Sequence, residues 1–165
     1  MTICEIFDIE QIAPLHQLVF GKSFPYESYN KKVKEHHVYL YAYYEEESII
    51  GYSIVIDQED ERNLYAWYGG LLPEYQGNGT TTKFFDIMVR RARDLNYGSI
   101  TLASTNCRPH MLRLAIKYGF DIYDIKKRDY GEGNKIYFRF SVLPDTKLTI
   151  RLHDGENILR QVDVE

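Results

Sequence analysis

Three strand-like segments rich in apolar, aromatic and β-branched residues, residues 38–44, 49–56 and 64–72, follow one another with only Glu45-Glu46-Glu47 and the charged residues 57–62 between them. Turns this short bring the chain back antiparallel and leave no room for a crossover helix. Pro73 and the run Gln76-Gly77-Asn78-Gly79 close the third strand, and an amphipathic helix follows. Phe84, Phe85, Met88, Ala92 and Leu95 share one of its faces; Lys83, Asp86, Arg90, Arg93 and Asp94 lie largely on the other. Gly98 stops it, residues 100–103 read as a short buried strand, and a second helix starts at Pro109, buries Met111, Leu112, Leu114 and Ala115, and ends at Gly119.

Upstream, Ile12, Leu15, Leu18 and Val19 recur at helical spacing, and a more polar helix is expected over 28–35, with Gly21 and Pro25 between. Downstream, residues 120–125 and the alternating Ile136, Phe138, Phe140 and Val142 supply two strands joined through Gly131-Glu132-Gly133. The Gly69-Gly70 pair inside the third strand marks a bulge or a place of close backbone approach. In the tail, Leu148, Ile150 and Leu152 alternate with polar residues, and Asp154-Gly155 predicts a tight turn back through 158–164. The expected fold class is α/β (α+β): a mixed, mostly antiparallel sheet flanked by helices, with a C-terminal β-hairpin appended to it. Residues 1–143 form the main domain and 144–165 its hairpin extension.

At 165 residues the chain is long enough to bury ~70% of its unfolded surface. A composition of 44% hydrophobic and 27% charged residues argues against a disordered or fibrous protein. The net charge of -4 argues against nucleic-acid and anionic-membrane partners, and the lack of any long apolar run excludes a membrane-spanning helix. The start of the chain does not read as a secretory signal, so a cytoplasmic location is expected. Cys4 and Cys107 are far apart and form no CxxC pair; His16, His36, His37, His110 and His153 show no metal-ligand spacing.

A strand, a loop with two glycines and a helix N-terminus form an arrangement suited to phosphate, because the glycines let successive amides converge and the helix end is partly positive. By itself the loop is equally a strand-to-helix turn. The P-loop pattern fails, since Thr82 precedes Lys83, and the dinucleotide fingerprint fails, since Thr82 stands where a third glycine belongs.

The longer run Leu71-Leu72-Pro73-Glu74-Tyr75-Gln76-Gly77-Asn78-Gly79-Thr80-Thr81, then a helix, a strand, Asn106, another helix and Lys117-Tyr118-Gly119-Phe120, resembles the GNAT superfamily of N-acetyltransferases. In that family Arg/Gln-x-x-Gly-x-Gly/Ala follows the fourth strand. The element order agrees over 3–142, with the specific motifs inside 64–120. The resemblance implies that the fourth and fifth strands splay apart and that acetyl-CoA lies in the cleft. Its pyrophosphate would be held by the amides of Gln76, Gly77, Asn78, Gly79, Thr80 and Thr81, and its pantetheine arm by the backbone of Gly70 and Leu71. Asn106 would contact the pantetheine or the adenosine-proximal portion, while Arg113 or Lys83 would offer charge to a phosphate. The acceptor would be a primary amine of a small molecule or protein, selected by the region 24–37 with Phe24, Tyr26 and Tyr29. A homodimer is left open.

The chain departs from the family pattern at several positions. Thr81 replaces Gly or Ala, Ala115 replaces the frequent Tyr that protonates the thiolate, and Asn106 lies two residues farther from Gly119 than is usual. The strand 64–72 has no carboxylate base, but Tyr65, Trp67 and Tyr68, with Glu59 and Glu61 just before it. Tyr68 and Tyr118 are the candidate catalytic residues, and Tyr123 is a further candidate acid. The alternative function is an acyl-CoA-binding regulatory module that has lost its acid and base; a metabolite-binding domain without CoA is a third reading. Of the aromatic excess, 15 Tyr and 8 Phe, the core takes Phe84, Phe85, Phe138 and Phe140, whereas Tyr26, Tyr29, Tyr65, Tyr68 and Tyr118 are expected around a cleft.

Overall fold

The computed structural model describes residues 1–128 and 133–142, together with the backbone of 148–154 and 157–164. Strand β1 (Thr2–Ile6) precedes α1 (Ala13–Phe20) and α2 (Tyr26–Glu35). The meander follows as β2 (Val38–Glu45), β3 (Ser48–Gln58) and β4 (Asn63–Leu71). Glu46 at φ 52° makes the first turn, and a short 3-10 turn closed by Arg62 at φ 49° makes the second. Then come α3 (Thr80–Asp94), β5 (Ser99–Thr105), α4 (Pro109–Tyr118), β6 (Asp121–Lys126) and β7 (Lys135–Ser141).

The seven strands form one sheet in the order β1-β2-β3-β4-β5-β7-β6. All neighbours are antiparallel except β4 and β5, which α3 joins as a parallel crossover. Helices α3 and α4 cover one face, where Phe84, Phe85, Met88 and Ala92 of α3 and Ala115 of α4 meet Leu64, Ile100, Leu102 and Phe138. On the other face, Ile12, Ala13 and Phe24 pack on Leu40, Ala42, Tyr52 and Ile54. Being covered on both faces explains why β3 is buried almost without alternation. Several buried polar groups are paired inside the sheet: the Asp57 carboxylate accepts from Tyr39 Oη at 3.1 Å and Tyr97 Oη at 2.7 Å, and Tyr43 bonds Ser53.

The expected mixed sheet with flanking helices is observed, with four differences of detail. The bulge in β4 falls at Trp67, since Ile54 pairs with Tyr68 and Val55 with Ala66. Gly69 and Gly70 are instead sites of close approach: a Cβ at Gly70 would collide with the Val19 methyl of α1, and one at Gly69 with Ser53 Oγ. Residues Thr2–Ile6 form an edge strand on β2 that periodicity alone does not announce. Of the apolar residues on α4 only Ala115 is buried; Met111, Leu112 and Leu114 pack partly buried against the core. Strands β8 (Leu148–Asp154) and β9 (Asn157–Val164) pair antiparallel as a sheet of their own rather than extending the main one. The turn expected at Asp154-Gly155 and the link Gly131-Glu132 lie partly outside the described residues.

Phe138 has no exposed surface and sits at the centre of the larger core. Phe138→Ala is expected to cost about 3–5 kcal/mol, read as a lower denaturation midpoint with an unchanged m-value.

Candidate active site

Strands β4 and β5 pair only from Asn63–Ser99 to Ala66–Leu102. Beyond that row β4 continues to Leu71 along β3, and β5 continues to Thr105 along β7, so the two strands diverge. The Leu72 amide donates to Ile50 on β3. Alternation therefore turns Gly70 toward β3 as well, while the backbone groups of Gly69 and Leu71 face the gap. Gln76 Nε2 takes the Leu71 carbonyl at 3.1 Å, which fastens the start of the loop to the end of β4.

The loop then curls through Gly77 at φ 79° and Gly79 at φ 84°, values that favour glycine. No heavy atom lies within 4 Å of a Cβ built at either position. Asn78 Oδ1 accepts from the Thr80 amide at 3.0 Å and from Thr80 Oγ1 at 2.5 Å. Thr80 Oγ1 also contacts Met1 Sδ at 2.7 Å. Since Gly79 O receives the Lys83 amide, the start of α3 leaves Thr81 and Thr82 as amide donors without an intrahelical acceptor.

A cavity of about 300 Å³ opens here. Its walls combine Leu71, the loop residues Gly77, Asn78 and Gly79, Thr80, Thr81 and Thr82 of α3, and Leu114, Lys117 and Tyr118 of α4. The chemistry of this lining suits a phosphate: backbone amides, a helix N-terminus, threonine hydroxyls and one ammonium. Lys117 is the cation that sequence reasoning did not select. Its signal was its place one turn after Leu114 on the same helix, legible only once α4 is set against the loop. Lys83 and Arg113 are exposed and do not line the cavity. Asn106 is exposed at the end of β5, where its amide donates to Asn134 O at 3.2 Å and its side chain lies against Gly133.

The two candidate catalytic tyrosines occupy opposite faces of the sheet. Tyr118 packs among Phe85, Phe120 and Phe140, and its hydroxyl donates to Asp86 Oδ1 at 2.6 Å. Burial, and then the Asp86 carboxylate, push its pKa upward. Tyr68 lies on the α1 face against His16, Phe20 and Trp67, with ring centroids 5.0, 5.8 and 4.7 Å away. Tyr123 stacks under Arg139 beside Tyr137. Burial pushes Tyr65 up to about 12. Among the acceptor-region aromatics, Phe24 is buried, Tyr29 is half-buried and Tyr26 is exposed with its hydroxyl on Glu10 at 2.9 Å.

This arrangement, a mixed sheet splayed at its one parallel pair with a glycine-turned helix start beside the gap, defines an acetyltransferase fold. Residues 4–120 match the model of the Acetyltransferase (GNAT) family, and the chain belongs to that family. Among solved structures, it resembles the ribosomal-protein-S18-alanine N-acetyltransferase from Escherichia coli with TM-score 0.73 and 11% identity, over 86% of this chain and 93% of that one. A Bacillus subtilis acetyltransferase in complex with CoA aligns with TM-score 0.69 and 15% identity, covering 86% of this chain and 98% of the other. A GNAT acetyltransferase from Elizabethkingia anophelis with acetyl-CoA bound gives TM-score 0.62 and 18% identity, over 85% and 97%. No protein of curated function matches the chain. Among the described residues no helix is long and apolar enough to cross a membrane.

Two predictions follow from this geometry. Gly79→Glu puts a bulky anion at the cavity wall and should abolish CoA binding in a calorimetric titration. Gly79→Asn, which tolerates the left-handed backbone and carries no charge, should retain it to within about tenfold. The second concerns His16, whose Nδ1 is 2.5 Å from Tyr52 Oη and whose burial lowers its pKa. The unfolded chain takes up a proton below pH ~6.5 that the folded imidazole resists. Stability from this contact is thus complete above that pH and declines as pH falls below it. The difference in melting temperature between the wild type and His16→Gln should shrink from pH 7.5 to 5; a constant gap would contradict the assignment.

Proposed function

We propose that this chain transfers an acetyl group from acetyl-CoA to a primary amine by direct attack of the amine on the thioester. The observation that carries the reading is the end of β4–β5 pairing at Ala66–Leu102, beyond which β4 runs on unpaired on that edge to Leu71 in the cavity wall. The loop residues fit a pyrophosphate: Gly77 and Gly79 leave open the space a side chain would fill, and Lys117 stands in the same wall. In this reading Gln76 through Thr81 cradle the pyrophosphate, Lys117 supplies the charge, and Asn106 borders the far side of the gap. The backbone of Gly69 and Leu71 pairs with the pantetheine arm, while Gly70 keeps α1 close.

Bound acetyl-CoA supplies an activated acyl carbon and a thiol leaving group. The protein's part is to hold the two reactants in line, which alone accounts for a large share of the barrier reduction. An amide on the open edge of β4, at Gly69 or Leu71, faces the position where negative charge develops on the carbonyl oxygen. The acceptor is an ammonium with a pKa near ~10, so its proton must leave through water before attack. Tyr68 stands on the acceptor side, where its hydroxyl is the candidate relay for the proton that the ammonium gives up to water. Tyr118 donates to Asp86 and would serve the leaving thiolate only by releasing that bond. A thiol of pKa ~8.5 departs without strong acid catalysis.

One observation favours the second reading, an acyl-CoA-binding regulatory module: Ala115 stands at the family's tyrosine position, and the nearby Tyr118 hydroxyl is already engaged. Thermal denaturation with acetyl-CoA, followed by thiol release across an amine panel, separates the two. Stabilisation of ~2.7 kcal/mol at a hundredfold excess over Kd is expected, with thiol release that Tyr68→Phe slows by about 10²-fold. Stabilisation without thiol release on any amine leaves the binding module, and no stabilisation excludes both.

A further inference from the structure

Among the described residues, three buried side-chain polar atoms have no hydrogen-bond partner: Ser104 Oγ, Thr105 Oγ1 and Arg139 Nε. All three lie on β5 and β7, the pair that borders the splay. Unmet buried polar atoms cost roughly 1–3 kcal/mol each; Ser104 faces α3 and α4, whereas Thr105 and Arg139 share the opposite face, and of these Arg139 alone carries a charge.

Arg139 pairs across the sheet with Thr101, which pairs in turn with Tyr65 on β4, one row before β4 and β5 part. Alternation puts Tyr65, Thr101, Ala103, Thr105, Tyr137 and Arg139 on the face opposite α3 and α4. The Arg139 guanidinium lies over the Tyr123 ring at 4.7 Å. Tyr123 and Tyr137 are both near enough to Tyr65 to raise its pKa. Lys126 and Lys135 stand over Tyr137 at 5.3 and 5.0 Å. In a chain of net charge -4, this stretch of the face thus gathers three cations on an aromatic floor. Asp121 is opposite Arg139 in register, and Asp124 and Glu61 act on Tyr123. Yet no carboxylate among the described residues forms an ion pair with Arg139.

We propose that the acceptor amine also carries an acidic group, a carboxylate or a phosphate, which Arg139 receives while the amine reaches back to the splay. The proposal rests on the acetyl-transfer reading above and names its substrate class. The stack on Tyr123 orients the guanidinium plane, and burial of Nε leaves the terminal nitrogens as the reachable donors, a fork that suits a planar acid. Lys126 and Lys135 add long-range attraction for the same sign of charge. A purely cationic acceptor such as a polyamine brings no acid for Arg139 to receive.

The test compares free amino acids and phosphorylated amines with their methyl esters, dephosphorylated forms and polyamines, in wild type, Arg139→Gln and Arg139→Lys. Thermal shift by acetyl-CoA is measured alongside to show that each variant folds and keeps the cofactor site. The expected result is that kcat/KM for the acidic amines exceeds that for their neutral forms by about 10- to 100-fold. Arg139→Gln should remove that preference chiefly through KM, with the neutral forms changed less than about threefold, and Arg139→Lys should restore part of it. Whether carboxylates or phosphates show the larger ratio names the acid. Neutral or polycationic amines transferred as well as the acidic ones, or equal losses for both in Arg139→Gln, overturn the proposal and leave the acetyl-transfer reading standing. An unchanged acetyl-CoA shift with no transfer to any amine, and no added stabilisation by the acidic amines over the neutral ones, overturns both.

Discussion

The parallel contact between β4 and β5 is the constraint on which the rest depends. It lasts four residues on each strand, from Asn63–Ser99 to Ala66–Leu102. Backbone polar groups leaving a sheet must find other partners, and each side solves this differently. β5 is taken up by β7 along its whole length. β4 keeps β3 on one edge and exposes Gly69 and Leu71 on the other, with Gln76 capturing only the Leu71 carbonyl. The gap is therefore a built feature, held open by pairing on both outer sides.

Each sheet face gives the gap a different chemistry. Toward α3 and α4 it runs into a cavity of loop amides, threonines and Lys117. Toward α1 it meets aromatic rings and, farther across, the cations over Tyr123 and Tyr137. Glycine serves both sides, through left-handed backbone at Gly77 and Gly79 and through missing side-chain bulk at Gly70, where Val19 of α1 comes close. A single strand-to-helix passage thus bears on both faces of the sheet.

Much of the fold was legible because its signals are local. The meander showed in aromatic and β-branched runs divided by short charged turns, and α3 in the spacing of Phe84, Phe85, Met88 and Ala92. The loop showed in two glycines between strand and helix. Where the reading differed, the deciding partner was distant in sequence. Glycines inside a strand are compatible with either a bulge or a close neighbour; the bulge went to Trp67, and Gly70 answered to α1. The strand Thr2–Ile6 is recognisable only by the edge of β2 that it covers. Lys117 and Arg139 look like ordinary surface charges until α4 meets the loop and β7 meets β5.

The sequence by itself determined the order of elements, the antiparallel meander, the phosphate-suited turn at residues 76–81 and the membership that residues 4–120 carry. Periodicity, glycine placement and turn length act over a few residues, so a linear reading captures them. The tertiary structure decided where the parallel pairing stops, which cation lines the cavity, which face each tyrosine takes and which buried donors go unpaired. Those outcomes depend on contacts between residues such as Ala66 and Leu102 or Tyr123 and Arg139. Only the packed sheet brings such residues together, because no short-range preference of the chain specifies their separation in space.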